Sequence, residues 1–169
     1  MEIWDIYDSC FQKTGRTHER GKPLAPGDYH LIVHIYPVND KGEVLIQKRA
    51  ENLSWKPGLW AATSGSAVVG EGAWTTCQRE LKEELGIEAT KDNSSLAFMY
   101  RRREHFSTVW LVKTNVDIKD LTLQPSEVSD VKWVNQKQLK EMLESGEFFN
   151  YPYLDLLFSV IGRDKKELE

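Results

Sequence analysis

Cysteine is nearly missing from this chain: Cys10 and Cys77 are the only two in 169 residues. Their number and separation give neither a disulfide framework nor a metal-ligand set, which fits a reducing compartment. Long apolar runs are missing as well. No stretch approaches the roughly 18 consecutive apolar residues that a membrane span requires. The opening MEIWDIYDSC is acidic where a secretory leader is basic, and it has no apolar centre. There are no internal repeats and no low-complexity tract. These absences lead to the expectation of a cytoplasmic protein without a membrane anchor.

What is present suits a folded enzyme or binding domain. At 40% hydrophobic and 11% aromatic the chain can bury a real core, and a length of 169 residues without a linker reads as a single domain over 1–169. A formal charge of −4 argues against a surface that coats nucleic acid.

Along the chain, HLIVHIYPV (His30–Val38) and EVLIQKR are rich in β-branched residues and flank the turn NDKG, so His30–Arg49 reads as a hairpin. SWKPGLW (Ser54–Trp60) reads as a loop that leads into a short strand near Trp60–Thr63. From Gly72 to Leu85, Trp74, Cys77, Leu81 and Leu85 recur at helical steps and stop at Gly86. Strands are expected at Leu96–Arg102, Thr108–Val116 and Val128–Val134, followed by a helix at Gln136–Ser145. A last helix, Tyr153–Ile161, is apolar nearly all round and is expected to pack on two sides or to meet a second copy, leaving a homodimer open. Mostly antiparallel strands with few helices between them imply a mixed sheet with helices against it, not a doubly wound one.

Glu80, Glu83 and Glu84 crowd one helical stretch, within an arc of roughly 100° beside the apolar stripe. Like charges at this spacing destabilise a helix, and a divalent cation removes that cost; hard carboxylate oxygens without His or Cys point to Mg²⁺ or Mn²⁺. The bland alternative is a solvated face on which Arg79 and Lys82 offset the charge. The surroundings decide between them. Gly65, five residues, Glu71, seven residues and then Arg79-Glu80-Leu81-Lys82-Glu83-Glu84-Leu85-Gly86-Ile87 resembles the Nudix signature at every defined position.

The resemblance implies an α/β (α+β) fold, a Nudix α/β/α sandwich with a mixed central sheet and a loop-helix-loop catalytic motif. It implies hydrolysis of a nucleoside diphosphate linked to another group, a small-molecule substrate, and Mg²⁺ or Mn²⁺ as cofactor. Glu83 and Glu84 correspond to direct metal ligands and Glu80 to a ligand or a base. The carbonyl at the Gly65 position can coordinate metal, and Arg79 with Glu71 forms an ion pair that holds the catalytic helix. Glu127, before the Val128–Val134 strand, falls where relatives place an additional ligand or base, and Arg49 where many use an arginine on substrate phosphate; an exposed glutamate and a surface ion pair are the plain alternatives. Trp55, Trp60, Tyr36 and Trp110 are aromatic groups that could stack on a base, with packing the default role for each.

Two other readings stay in view. The N-terminal portion is similar to isopentenyl-diphosphate isomerase-like Nudix proteins, with His30 near a position used for metal. The isomerase cysteine, however, is replaced by Ser64, and Cys77 lies on the apolar side of the helix. The third reading is a nucleotide-binding Nudix module without turnover, which an intact set of glutamates opposes.

Overall fold

The computed structural model describes residues 1–166, with side chains through residue 162. In chain order the elements are β1 (Ile3–Tyr7), β2 (Lys13–Glu19), β3 (His30–Val38), β4 (Val44–Arg49), β5 (Trp60–Ala61), β6 (Thr63–Ser66) and α1 (Ala73–Leu85). They continue with β7 (Ser94–Arg101), β8 (His105–Lys113), β9 (Val128–Val134), α2 (Gln136–Glu144) and α3 (Leu154–Lys166).

β3 is the organising strand because its β-branched residues can be buried on both faces at once. It pairs in parallel with β8 along its whole length, from His30 opposite His105 to Val38 opposite Lys113. The expected β3–β4 hairpin is therefore only a junction: Val38 and Val44 alone pair, and β6 enters beside β3, running antiparallel with Ile32 opposite Ser66 and Ile35 opposite Thr63. β4 instead takes β9 and β5 as its partners. The sheet thus opens between β3 and β4, and β6 carries Ser64, Gly65 and Ser66 into the opening.

Alternation along β3 sends odd and even residues to opposite faces. Val33 and Ile35 meet Leu45 and the apolar stripe Cys77, Leu81 and Leu85 of α1. Each fully buried leucine there contributes about 1.5–3 kcal/mol relative to exposure, which fixes α1 on the sheet. The other face packs Tyr36, Val109 and Leu111 against Leu139 and Met142 of α2 and Leu157 and Ile161 of α3. α3 packs on its own chain through one side, with Leu157 buried and Asp155, Leu156 and Ser159 exposed, so the expected packing on two sides is not met within the chain. Among the described residues no helix is long and apolar enough to cross a membrane.

β1 and β2 form a separate two-stranded ribbon not foreseen in the sequence. It is fastened to the rest by Val69 N–H donating to the Ile3 carbonyl (2.8 Å) and Gly70 N–H donating to Asp5 Oδ2 (2.9 Å). Lys13 Nζ adds bonds to Asp5 Oδ2 (2.7 Å) and to the Glu71 carbonyl (3.0 Å).

Candidate active site

The loop from Ser66 to Gly72 and the helix α1 bring the acidic residues to the sheet opening. At the helix start the Gly72 N–H donates to Thr75 Oγ1 (3.0 Å), and Thr76 Oγ1 donates to Glu71 Oε2 (3.0 Å). At its end Gly86 adopts φ 72°, and its N–H returns to the Lys82 carbonyl; this left-handed turn favours glycine.

Because Cys77, Leu81 and Leu85 anchor one stripe, Glu80 and Glu84 are carried along the next, under the sheet opening, and both are buried. Glu83 lies further round, half exposed. Gly65 approaches this set so closely that a Cβ there would overlap the Glu80 carboxylate, so any other residue at 65 would displace that side chain. Glycine here serves close approach to the Glu80 side chain.

Arg79 ties the set together. Its Nε and Nη2 donate to Glu71 Oε1 (2.7 Å) and Oε2 (2.9 Å), in the two-pronged geometry guanidinium favours. Nη1 reaches Glu80 Oε1 (2.8 Å) and Glu83 Oε2 (3.2 Å), and Nη2 also meets the Ser66 carbonyl (3.2 Å). Bonding to Arg79 holds the Glu71 carboxyl below its usual range. Glu84 has a different partner, which sequence reasoning missed: Gln47 Nε2 donates to Glu84 Oε2 at 2.6 Å, while Gln47 Oε1 accepts from Thr63 Oγ1 at 2.7 Å. The only sequence signal was a polar residue in the otherwise apolar run VLIQ of β4.

Burial dominates the electrostatics of the two inner carboxylates. It pushes Glu84 up to about 8 against the hydrogen bond from Gln47, with Glu80 and Glu127 adding repulsion. It pushes Glu80 up to about 7 against Arg79.

These groups line one cavity of about 440 Å³. Glu127 is there too, half-buried, because the Gln124 N–H bonds the Glu84 carbonyl and the Glu127 N–H bonds the Gln124 carbonyl, tying that loop to the helix end. Arg49 also lines the cavity, but its guanidinium donates to the carbonyl of Trp55 from Nε (3.1 Å) and Nη2 (2.9 Å). Of the four candidate stacking residues, Tyr36 is core, Trp110 packs on Trp74, and Trp60 is half-buried under Lys132. Trp55 alone is largely exposed and lines the cavity.

The donors are all hard oxygens, and two are buried carboxylates whose burial is only partly offset. This chemistry fits Mg²⁺ or Mn²⁺. The side chains are not gathered as a ready cage: among the described residues no three acidic, His or Cys groups converge, since Glu80 and Glu83 lie against Arg79 and Glu84 against Gln47.

The remaining sequence candidates lie elsewhere or in other roles. Ser64 lines the cavity in place of a thiol, opposite His34 in the sheet. Cys77 is fully buried and burial pushes its thiol up to about 12, which removes it as an acid for isomerisation. His30 stacks on Trp4 with ring centroids 4.0 Å apart, and His34 Nδ1 bonds the Tyr153 hydroxyl at 2.8 Å.

A mixed sheet lies between helices, with a glycine-flanked acidic helix at its opening. Residues 28–157 match the NUDIX domain model. Among curated relatives, an uncharacterized Nudix hydrolase of Listeria monocytogenes is 39% identical over 161 residues, 95% of each chain. An isopentenyl-diphosphate Delta-isomerase of Photorhabdus laumondii is 30% identical over 152 residues, 86% of this chain and 82% of that one. A crystal structure from Deinococcus radiodurans shares the fold, with a TM-score of 0.76 at 19% identity, covering 92% of this chain and 97% of that one. The chain belongs to the Nudix family and is a Nudix-type hydrolase.

Proposed function

We propose that the chain, acting as a single domain, hydrolyses the diphosphate linkage of a nucleoside diphosphate joined to a second group, and does so with Mg²⁺ or Mn²⁺. Glu80, Glu83 and Glu84 would hold the cation, with the Gly65 carbonyl and Glu127 as further oxygen donors. The observation that carries this reading is the burial of Glu80 and Glu84 in a cavity wall, with pKa values driven up toward neutrality, where a solvated acidic face would show neither. A divalent cation held by these residues would offset the charge of the diphosphate and lower the pKa of a bound water, supplying hydroxide near neutral pH.

The chain's own groups have separable tasks. Arg79 fixes the spacing of Glu71, Glu80 and Glu83 and so sets where the carboxylates stand. Gln47 orients Glu84 from the sheet side. Glu80 commits Oε1 to Arg79, leaving Oε2 for either of its two proposed roles, cation ligand or base for water. Isomerisation has no such support, since Ser64 stands in the thiol's place and Cys77 is inaccessible.

The test is a panel of nucleoside diphosphate derivatives, dinucleoside polyphosphates and isopentenyl diphosphate with Mg²⁺, followed by mass analysis in ¹⁸O-labelled water. Label in one phosphate product is expected. An isomerised alkene, or no conversion of any diphosphate, would sink the reading.

A further inference from the structure

Trp55 is 55% exposed, and it is the only aromatic residue among the large apolar side chains that the described residues leave exposed. A free surface tryptophan would need no account, but this one is held. Arg49 binds its carbonyl through two guanidinium nitrogens, and the same guanidinium carbon lies 5.1 Å from the indole centroid, within cation–π range. Phe149 supports the ring at 5.3 Å between centroids. The loop is closed behind it by the Gly58 N–H donating to the Arg49 carbonyl at 3.1 Å. Lys56, next in the chain, sits at φ 50°, a left-handed conformation that a long side chain adopts only when its surroundings impose it.

The cavity gives this fixed indole a meaning. Around the acidic residues its wall is charged or polar, with Arg79, Ser64 and Ser66 beside the carboxylates. The apolar residues of the same wall are Ile32, Leu53 and Trp55, of which Trp55 alone is aromatic. A ligand that satisfies both parts is anionic at one end and flat and apolar at the other. An aliphatic tail would be served by any apolar side chain, whereas a ring pre-fixed by a cation and a tilted phenyl suits a planar π-system, whose stacking is sensitive to aromaticity at the contact.

We infer that Trp55 is the stacking platform for the planar base of the substrate, and that Arg49 acts as a positioning residue that fixes this platform. The inference rests on the hydrolase reading for the position of the diphosphate, but its test does not need turnover. Binding of a methylene-bridged nucleoside diphosphate and of base-free methylenediphosphonate would be measured by calorimetry with Mg²⁺, in the unaltered protein, Trp55→Leu and Trp55→Phe, each checked for unchanged melting.

The nucleotide is expected to bind more tightly than the base-free analogue in the unaltered protein. Trp55→Leu should weaken the nucleotide about tenfold and leave the base-free analogue alone, and Trp55→Phe should retain most of the affinity. In turnover, Trp55→Leu should raise KM for the nucleotide substrate with kcat within about twofold. Equal binding of the two analogues by the unaltered protein overturns the proposal. So does a Leu variant that binds both normally or loses both equally, or a Phe variant no better than Leu. Persistence of the binding difference with no diphosphate cleaved would instead overturn the hydrolase reading alone.

Discussion

Titratable side chains are buried on both faces of the sheet, and the two faces treat them in opposite ways. Behind β3, the Tyr153 hydroxyl links His34 Nδ1 (2.8 Å) to the Tyr36 hydroxyl (3.1 Å), and the Tyr151 hydroxyl accepts from the Ala62 N–H (3.3 Å). Burial drives the tyrosines up and His34 down to about 3, so every member is neutral near pH 7 and each has a partner. On the α1 face, Glu80 and Glu84 are buried too, yet the hydrogen bonds from Arg79 and Gln47 leave their pKa values raised. The first cluster is complete with the chain's own atoms. The second keeps a charge cost that, under the proposed function, a bound cation would offset, and that cost is the contrast with a packed polar core.

The comparison can be broken most decisively by removing divalent cations. A chelator is expected to abolish diphosphate cleavage, with Mg²⁺ or Mn²⁺ restoring it. Those ions should raise the thermal midpoint of the unaltered protein, by linkage worth about 2.7 kcal/mol at one hundred times Kd. A chelator-resistant activity would place the carboxylates among structural groups.

Next in size is Glu84→Gln, for which kcat should fall on the order of 10²-fold or more. Without metal, the same variant should gain on the order of 1–3 kcal/mol in urea unfolding at pH 8, because a buried charge is gone while Gln47 keeps a carbonyl acceptor. A variant that is both inactive and less stable would mean that Glu84 is a folding residue. The mirror experiment is Tyr153→Phe, expected to cost about 1–3 kcal/mol in stability by stranding His34 and Tyr36, with kcat within about twofold. A large loss of kcat at unchanged stability would merge the two clusters.

Acidity separates the faces by sign. His30 and His34 titrate at about 4 and about 3 when folded and near 6.5 when unfolded, so the unfolded chain binds more protons in between. Their contribution is full above pH 6.5 and is lost as pH falls, at up to about 1.4 kcal/mol per pH unit for each histidine. Glu80 and Glu84, raised to about 7 and about 8 from 4.5, act oppositely in the metal-free protein: their cost is relieved as pH falls through those values. Urea midpoints from pH 8 to 5 should therefore fall more steeply in Glu84→Gln than in the unaltered protein. Parallel curves would count against the distinction. The smallest effect is expected for Lys13→Ala, which loosens the ribbon's hold on the Glu71 carbonyl; being half exposed, the contact is worth under about 1 kcal/mol. Unfolding and KM measurements together would show whether the ribbon also tunes the site.

The sequence made α1 legible because Cys77, Leu81, Leu85 and Gly86 follow rules internal to one helix. The ion pair of Arg79 with Glu71 was likewise readable from the motif. What was not legible depended on distant partners. β3 and β4 look like a hairpin locally, but the parallel pairing with β8 and the insertion of β6 are decided by residues far along the chain. β2 is solvated on both sides over most of its length, so it carries no apolar alternation to betray it. Gln47 gained its role only when the fold placed Glu84 2.6 Å away. For Arg49 the resemblance offered a phosphate contact and the plain alternative was a surface ion pair; neither reading contained the bond its guanidinium makes to the Trp55 carbonyl at the cavity wall.

The ribbon formed by β1 and β2 lies before the stretch, 28–157, that matches the family, and still braces the loop at Gly70 and Glu71. A chain begun at residue 28 would keep every residue of the signature while losing the strut that sets the tilt of the loop leading into α1. Activity in such a shortened form would report on how far the aim of the carboxylates is governed from beyond the motif. The ribbon is thus a place where substitutions could retune the enzyme without altering a single signature residue.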